Sequence, residues 1–64
     1  MNILVNGEPQ PPAEHLQALL ARMGLAEAAV ATAVNGRFVA AAQRAGTQLA
    51  AGDRVEVLAP MQGG

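Results

Sequence analysis

Polar and apolar residues alternate at the start of the chain. In the stretch NILVN, Ile3 and Val5 fall on one side of an extended backbone, as in a half-buried strand. Asn6-Gly7 follows, and this pair is favoured in two-residue hairpin turns because both positions require positive φ. A second short strand containing Pro9 should return beside the first, and its proline confines it to the edge of the sheet.

The spacing of apolar residues changes to that of a helix after Pro12. An apolar stripe with helical spacing is formed by Leu16, Leu19, Leu20 and Met23. Pro12 suits a first helical turn and Glu14 complements the positive N-terminal end, so we expect the helix to begin at Pro12. Gly24 is expected as the left-handed C-cap, with Leu25 folding back onto Leu20. His15 falls on the solvent side of this helix, and we assign it no role.

A second hairpin is predicted in VATAVNGRFVA, where Asn35-Gly36 lies between two alternating runs. With this turn, Ala33 pairs with Phe38. We expect Phe38 to point into the core, where the small Ala31 and Ala33 side chains leave room for the ring. The pattern also allows the opposite orientation, in which the inward residues are Thr32, Val34 and Val39.

The last alternating run is RVEVLA, which places Val55 and Val57 in the core. Residues 41–51, which come before it, show no clear period and are expected to form a connecting loop. Pro60 cannot donate to a strand ladder, so it should end the strand and release the chain.

The predicted order of elements is strand, strand, helix, strand, strand, loop, strand. This order indicates an α+β fold, a mixed sheet of four to five strands with one main helix across one face. The last strand is expected in the centre beside the first, which keeps the proline-containing strand at the edge. We therefore divide the chain into one domain over residues 1–60 and a flexible tail over residues 61–64.

Composition argues against most kinds of catalytic and metal site. The 64 residues include no cysteine and one histidine, too few for a thiol nucleophile, a zinc site or a Ser-His-Asp triad. Four arginines are scattered along a chain of net charge −1, which argues against nucleic acid as a partner. No apolar segment has the length of a signal peptide or a membrane span. We expect a cytoplasmic protein that binds no membrane and is not itself an enzyme.

The chain ends in the four residues Met61, Gln62, Gly63 and Gly64. If extended, they reach roughly 13 Å beyond the sheet. Glycine lacks a Cβ atom and can pass through a narrow channel. We therefore expect these four residues to enter the active site of another protein, with the carboxylate of Gly64 leading.

Partners are expected to dock on the face of the sheet that the helix leaves uncovered. Leu4 and Leu58 have outward parity and Met61 follows in the tail, so these residues would form a modest apolar patch. Arg54 and Glu56 share this face and would add polar specificity.

Several segments taken together resemble a known family. They are the opening ILVNG, the hairpin AVNGRFV, the approach AGDRVEVL and the terminal GG, in an order that spans the whole chain. In this combination the chain resembles the β-grasp, ubiquitin-like sulfur carriers of the ThiS type, which serve thiamine biosynthesis. The resemblance implies a β-grasp fold.

The resemblance also implies a chemistry. A ThiF-like (E1-like) adenylating enzyme would use ATP and Mg²⁺ to adenylate the carboxylate of Gly64. Sulfur taken from cysteine by a cysteine desulfurase would then convert this group to a thiocarboxylate. The thiocarboxylate would give its sulfur to a ThiG-like thiazole synthase for the thiazole ring of thiamine. The carrier itself is implied to bind no cofactor and no metal, and to contribute no catalytic residue.

Other interpretations remain open at this point. The same chemistry would serve tRNA thiolation or molybdopterin synthesis if the sulfur acceptor were different. A β-grasp domain with this ending would also suit a ubiquitin-like interaction module without activated chemistry, or a modifier attached to lysines of other proteins.

Overall fold

The fold is built on a five-stranded mixed sheet with one α-helix packed across one face. The computed structural model describes residues 2–59. Along the chain the elements are β1 (Ile3–Val5), β2 (Glu8–Gln10), α1 (Leu16–Arg22), β3 (Ala31–Val34), β4 (Arg37–Val39), a 3-10 helix (Ala41–Gly46) and β5 (Arg54–Leu58). The predicted α+β class is confirmed. The predictions for Pro60 and for the tail over residues 61–64 lie outside the described residues.

The strand order is β2-β1-β5-β3-β4, so the last strand occupies the centre as predicted. It runs parallel to β1 and antiparallel to β3. At one edge lies β2, whose Pro9 is opposite Leu4. Because Val5 and Glu8 close the two-residue turn, Pro9 falls in a non-hydrogen-bonded pair. The N–H group that proline lacks would therefore point away from β1, toward the open edge of the sheet, and β1 loses no hydrogen bond.

Both predicted Asn-Gly turns are present. In the first turn φ is 51° at Asn6 and 83° at Gly7, and in the second it is 52° at Asn35 and 82° at Gly36. Positive φ at both central positions matches the twist of the flanking strands. Asparagine and glycine tolerate this region better than other residues, so the sequence specifies these reversals locally.

The helix begins at Leu16 and not at Pro12. His15 is its N-cap: the backbone there is extended, with φ −149° and ψ 171°. The side-chain Nδ1 atom accepts a hydrogen bond of 3.0 Å from the Ala18 N–H. The expectation that His15 has no role is therefore wrong, because its ring nitrogen satisfies one of the free N–H groups of the first helical turn.

The segment before the helix is held by a distant part of the chain. His15 forms a β-bridge with Gln48, and the Leu49 N–H donates to the Glu14 carbonyl at 3.2 Å. These contacts keep His15 extended and hold Glu14 beside Leu49. Glu14 consequently lies outside the helix, whose first turn contains no acidic residue.

The end of the helix follows the prediction. Gly24 has a φ of 77°, and the Leu25 N–H donates to the Leu20 carbonyl at 2.7 Å. Leu25 packs against the core from this position. A glycine in the left-handed region and a returning apolar residue are the usual way to satisfy the last carbonyls of a helix.

One cluster of buried apolar side chains joins the helix to the sheet. Its members are Ile3, Val5, Leu16, Leu19, Leu20, Val39, Val55 and Val57. The inward residues predicted for β1 and β5 all belong to it. Of the predicted helical stripe, only Met23 lies outside this cluster, and it packs against the margin partly buried.

The second hairpin has the opposite orientation to the one expected. Phe38 is 73% exposed, whereas Thr32 is 1% and Val39 8% exposed. Thr32 lies opposite both Val39 and the inward Val57. Because directly opposed residues share a face of the sheet, Phe38 and its partner Ala33 must point outward.

A buried arginine occupies the segment predicted as a loop. Arg44, in the 3-10 helix, is 6% exposed. Its Nε donates to Thr32 Oγ1 at 3.1 Å, and its Nη2 donates to the Val30 carbonyl at 2.7 Å. Thr32 Oγ1 donates in turn to the Val39 carbonyl at 2.8 Å. A threonine in this inward position thus accepts from the guanidinium and donates to the backbone.

We expect Thr32→Val to destabilise the domain although the two side chains have nearly the same shape. The substitution removes the acceptor of a buried Arg44 N–H, a loss of about 1–3 kcal/mol in the free energy of unfolding. Urea denaturation would measure it. Thr47→Val is the matched control, because the exposed Thr47 hydroxyl donates to the Gln43 carbonyl and water can replace it. Equal losses in the two variants would contradict the role of the buried network.

Candidate functional site

Four of the five residues predicted for partner docking lie together on the sheet face opposite the helix. They line one shallow concavity and are Leu4, Arg54, Glu56 and Leu58. Leu58 is 64% exposed, and Leu4 is half-buried. The remaining predicted residues lie outside the described part of the chain: Met61, Gln62, Gly63 and Gly64.

Phe38 belongs to the same face, although the sequence reasoning placed it in the core. It lies opposite Ala33 on β3, and Ala33 lies opposite Glu56 on β5. A signal for this orientation was present, since the β-branched Thr32 and Val34 alternate with alanines that have little to bury. We refer to Leu4, Phe38, Arg54, Glu56 and Leu58 as the outer face.

A polar turn fixes the beginning of β5. Asp53 Oδ2 accepts a hydrogen bond of 2.8 Å from the Ala50 N–H, and Asp53 Oδ1 accepts one of 3.1 Å from Asn35 Nδ2. The Asn35 Oδ1 atom accepts the Arg54 N–H at 3.0 Å. The hydrogen bond from the Ala50 backbone, and then that from Asn35, lower the pKa of the Asp53 carboxyl from its ordinary 3.8. This turn sets the register from which Arg54 and Glu56 project.

The outer face reaches the point where the chain leaves the sheet. β5 ends at Leu58, and Ala59 is the last residue described. Leu58 is therefore both an exposed apolar member of the outer face and the final residue of the central strand. A partner bound to the outer face would contact the domain next to the start of residues 60–64.

Within residues 2–59, no three His, Cys, Asp or Glu side chains are grouped so that they could hold a metal ion. The same part of the chain contains no helix with the length and apolar character needed to cross a membrane.

Comparisons with known proteins agree with the geometry. The model of the family described as "ThiS family" matches residues 3–64. Among solved structures, the chain is similar to the crystal structure of a thiamine biosynthesis protein (ThiS) from Geobacter metallireducens. The two chains are 35% identical, superpose with a TM-score of 0.81, and are each covered over 100% of their length. No curated protein matches the chain significantly. The predicted β-grasp fold is confirmed by this likeness.

We expect Asp53 to make the domain sensitive to acid. The pKa of Asp53 is lower in the folded chain than in the unfolded chain. The ionised carboxylate therefore stabilises the fold fully at pH values above the pKa of the unfolded chain, and this stabilisation is lost as the pH falls through the pKa of the folded chain. Asp53→Asn keeps an acceptor oxygen but does not titrate. Between about pH 5 and pH 2, the wild type should lose more unfolding free energy than Asp53→Asn in urea titrations. Parallel losses in the two chains would contradict the assignment.

Proposed function

This chain belongs to the ThiS family, and we propose that it is a sulfur carrier protein of thiamine biosynthesis. The observation that supports this most directly is the full-length likeness to a thiamine biosynthesis protein, within which the family match runs through Gly63 and Gly64. The carrier is a co-substrate of partner enzymes and not an enzyme, and its place of action is the cytoplasm.

The proposed reaction takes place at the carboxylate of Gly64. A ThiF-like (E1-like) enzyme uses ATP and Mg²⁺ to form the acyl adenylate, and pyrophosphate leaves. Activation has to come first, because the charge of a carboxylate is delocalised and its oxygen is a poor leaving group. In the adenylate, AMP becomes the leaving group at the same carbon atom.

Sulfur then replaces the AMP. A cysteine desulfurase provides a persulfide, whose terminal sulfur attacks the acyl carbon while the C–O bond to AMP breaks. A second thiol cleaves the resulting acyl disulfide and is itself oxidised to a disulfide, which leaves the thiocarboxylate on Gly64. A ThiG-like thiazole synthase takes this sulfur for the thiazole ring, and the carrier is used again.

The arrangement of the described residues fits a carrier whose domain and reacting group are separate. Five residues, 60–64, follow Ala59 and span at most about 18 Å. The proposal assigns Met61, Gln62, Gly63 and Gly64 to the part of the chain that enters the partner's active site. The outer face, which ends at Leu58, is then the surface that the partner holds while Gly64 is modified.

Incubation with the adenylating enzyme, ATP, Mg²⁺ and a sulfur source should increase the mass of the chain. The expected increase corresponds to one oxygen atom replaced by one sulfur atom, and fragmentation should locate it at Gly64. Mass spectrometry measures both. A chain without Gly64 should fold, as judged by circular dichroism, and should gain no sulfur.

An unchanged mass, under conditions in which a known carrier of this family is loaded, would contradict the proposal. The acceptor is tested separately. A strain that requires thiamine because it lacks its carrier should grow when given this chain. Rescue of a tRNA thiolation defect without rescue of the thiamine requirement would assign the same chemistry to another acceptor.

The role of the outer face can be tested with Leu58→Glu. A charge at this exposed apolar position should weaken binding to the adenylating enzyme about tenfold or more, because it must be desolvated on docking. Ala21→Glu adds the same charge on the exposed side of α1 and should leave the affinity unchanged. Isothermal titration calorimetry measures both. Equal affinities for the two variants would contradict the proposed docking of the partner on the outer face.

A further inference from the structure

We infer that Asn6 is a positioning residue for the loading of Gly64: its side chain fixes the direction in which the chain leaves β5. This inference rests on the proposed function, since it concerns how the reacting end is presented to a partner enzyme. The two parallel strands at the centre of the sheet, β1 and β5, differ in length.

β1 is shorter than the strand it supports. The Leu4 N–H donates to the Asp53 carbonyl at 2.9 Å, and the Asn6 N–H donates to the Val55 carbonyl at 2.8 Å. The chain then reverses in the Asn6-Gly7 turn, whereas β5 continues to Leu58. In a parallel ladder the peptide groups of every second residue point to the same neighbour, so those of Val57 face the side where β1 has already ended.

The Asn6 side chain takes the place of the missing strand. Its Oδ1 accepts the Val57 N–H at 2.9 Å, and its Nδ2 donates to the Val57 carbonyl at 3.1 Å. A side-chain amide has the same donor and acceptor as a peptide group. The parallel ladder is thereby extended by one step beyond the end of β1.

This extra step lies next to the exit of the chain. On the other side of β5, the pairing with β3 continues to Leu58, which is opposite Ala31. With Asn6 in place, β5 is held from both sides up to its last residues. An error in the direction of the strand end would shift the point from which residues 60–64 extend. Gly64 would then reach the partner's reacting centre less often in the productive geometry, where a misplacement of about 1 Å can slow a reaction roughly 100-fold.

The chain contains a matched control for Asn6. Asn35 also lies at a positive φ, of 52°, in an Asn-Gly turn beside β5. Its N–H donates to the Arg54 carbonyl at 2.7 Å, and its Oδ1 accepts the Arg54 N–H at 3.0 Å. It therefore supports the same strand at the end far from the exit, with one side-chain and one main-chain hydrogen bond where Asn6 uses two side-chain hydrogen bonds.

The experiment compares Asn6→Gly with Asn35→Gly in the full chain. Glycine accepts positive φ, so both turns should persist while the side-chain hydrogen bonds are lost. Thiocarboxylate formation is followed at increasing carrier concentration with the adenylating enzyme and its sulfur source. We expect kcat to fall about tenfold for Asn6→Gly, with a smaller change in KM, because Asn6 lines the same concavity as Leu4 and Leu58 but its replacement leaves the outer face itself unaltered. Asn35→Gly disturbs the turn that positions Arg54 and Glu56, so we expect it to raise KM while kcat stays within about twofold of the wild type. Hydrogen exchange at the Val57 amide should accelerate in Asn6→Gly alone.

The outcomes separate this inference from the proposed function. A wild-type chain that is not loaded would overturn the proposed function, and the role of Asn6 would fall with it. A loaded wild type with Asn6→Gly loaded at the same kcat would overturn the inference alone. Equal losses of kcat in the two variants, in step with their melting temperatures, would also overturn it, because they would reflect stability and not direction.

Discussion

The structure depends on the pairing of β5 from both sides. Every other strand is placed by reference to it: β1 runs parallel to it, β3 antiparallel, and β2 and β4 lie outside these two. Polar side chains complete the pairing where backbone partners run out, Asn35 at the first residue and Asn6 at Val57. Without Asn6, the part-buried peptide group of Val57 would lack a protein partner on that side of the strand. The same strand leads into the residues that carry the proposed chemistry.

The two faces of the sheet differ in what they bury. The inner face buries Val55 and Val57 against the helix. Thr32 and Arg44 are buried on the same face and are joined by a hydrogen bond. The outer face keeps large apolar side chains, Phe38 and Leu58, in solvent. Large exposed apolar side chains are a common feature of docking surfaces. The proposed function therefore assigns this face to the partner that modifies Gly64.

Local signals were sufficient for much of the fold. Two Asn-Gly pairs specify both hairpin turns, because few residues tolerate positive φ at two consecutive positions. Pro9 identifies an edge strand, since it lacks an N–H group. Four of the five docking residues were found by parity alone, because side chains alternate between the faces of a strand. Their position on one face follows from the structure, whereas their binding role stays a prediction.

The sequence by itself determined the turns, the edge strand, the apolar stripe of the helix and the inward residues of β1 and β5, because each depends on neighbours within a few positions. The tertiary structure alone decided three other features. Phe38 points outward because the register of β3 against β5 puts Thr32 on the buried side. The helix begins at Leu16 because the preceding segment pairs with residues 47–49, and Arg44 is buried because Thr32 and Val30 accept its hydrogen bonds. Each of these depends on contacts between residues far apart in the chain, which neither periodicity nor propensity records.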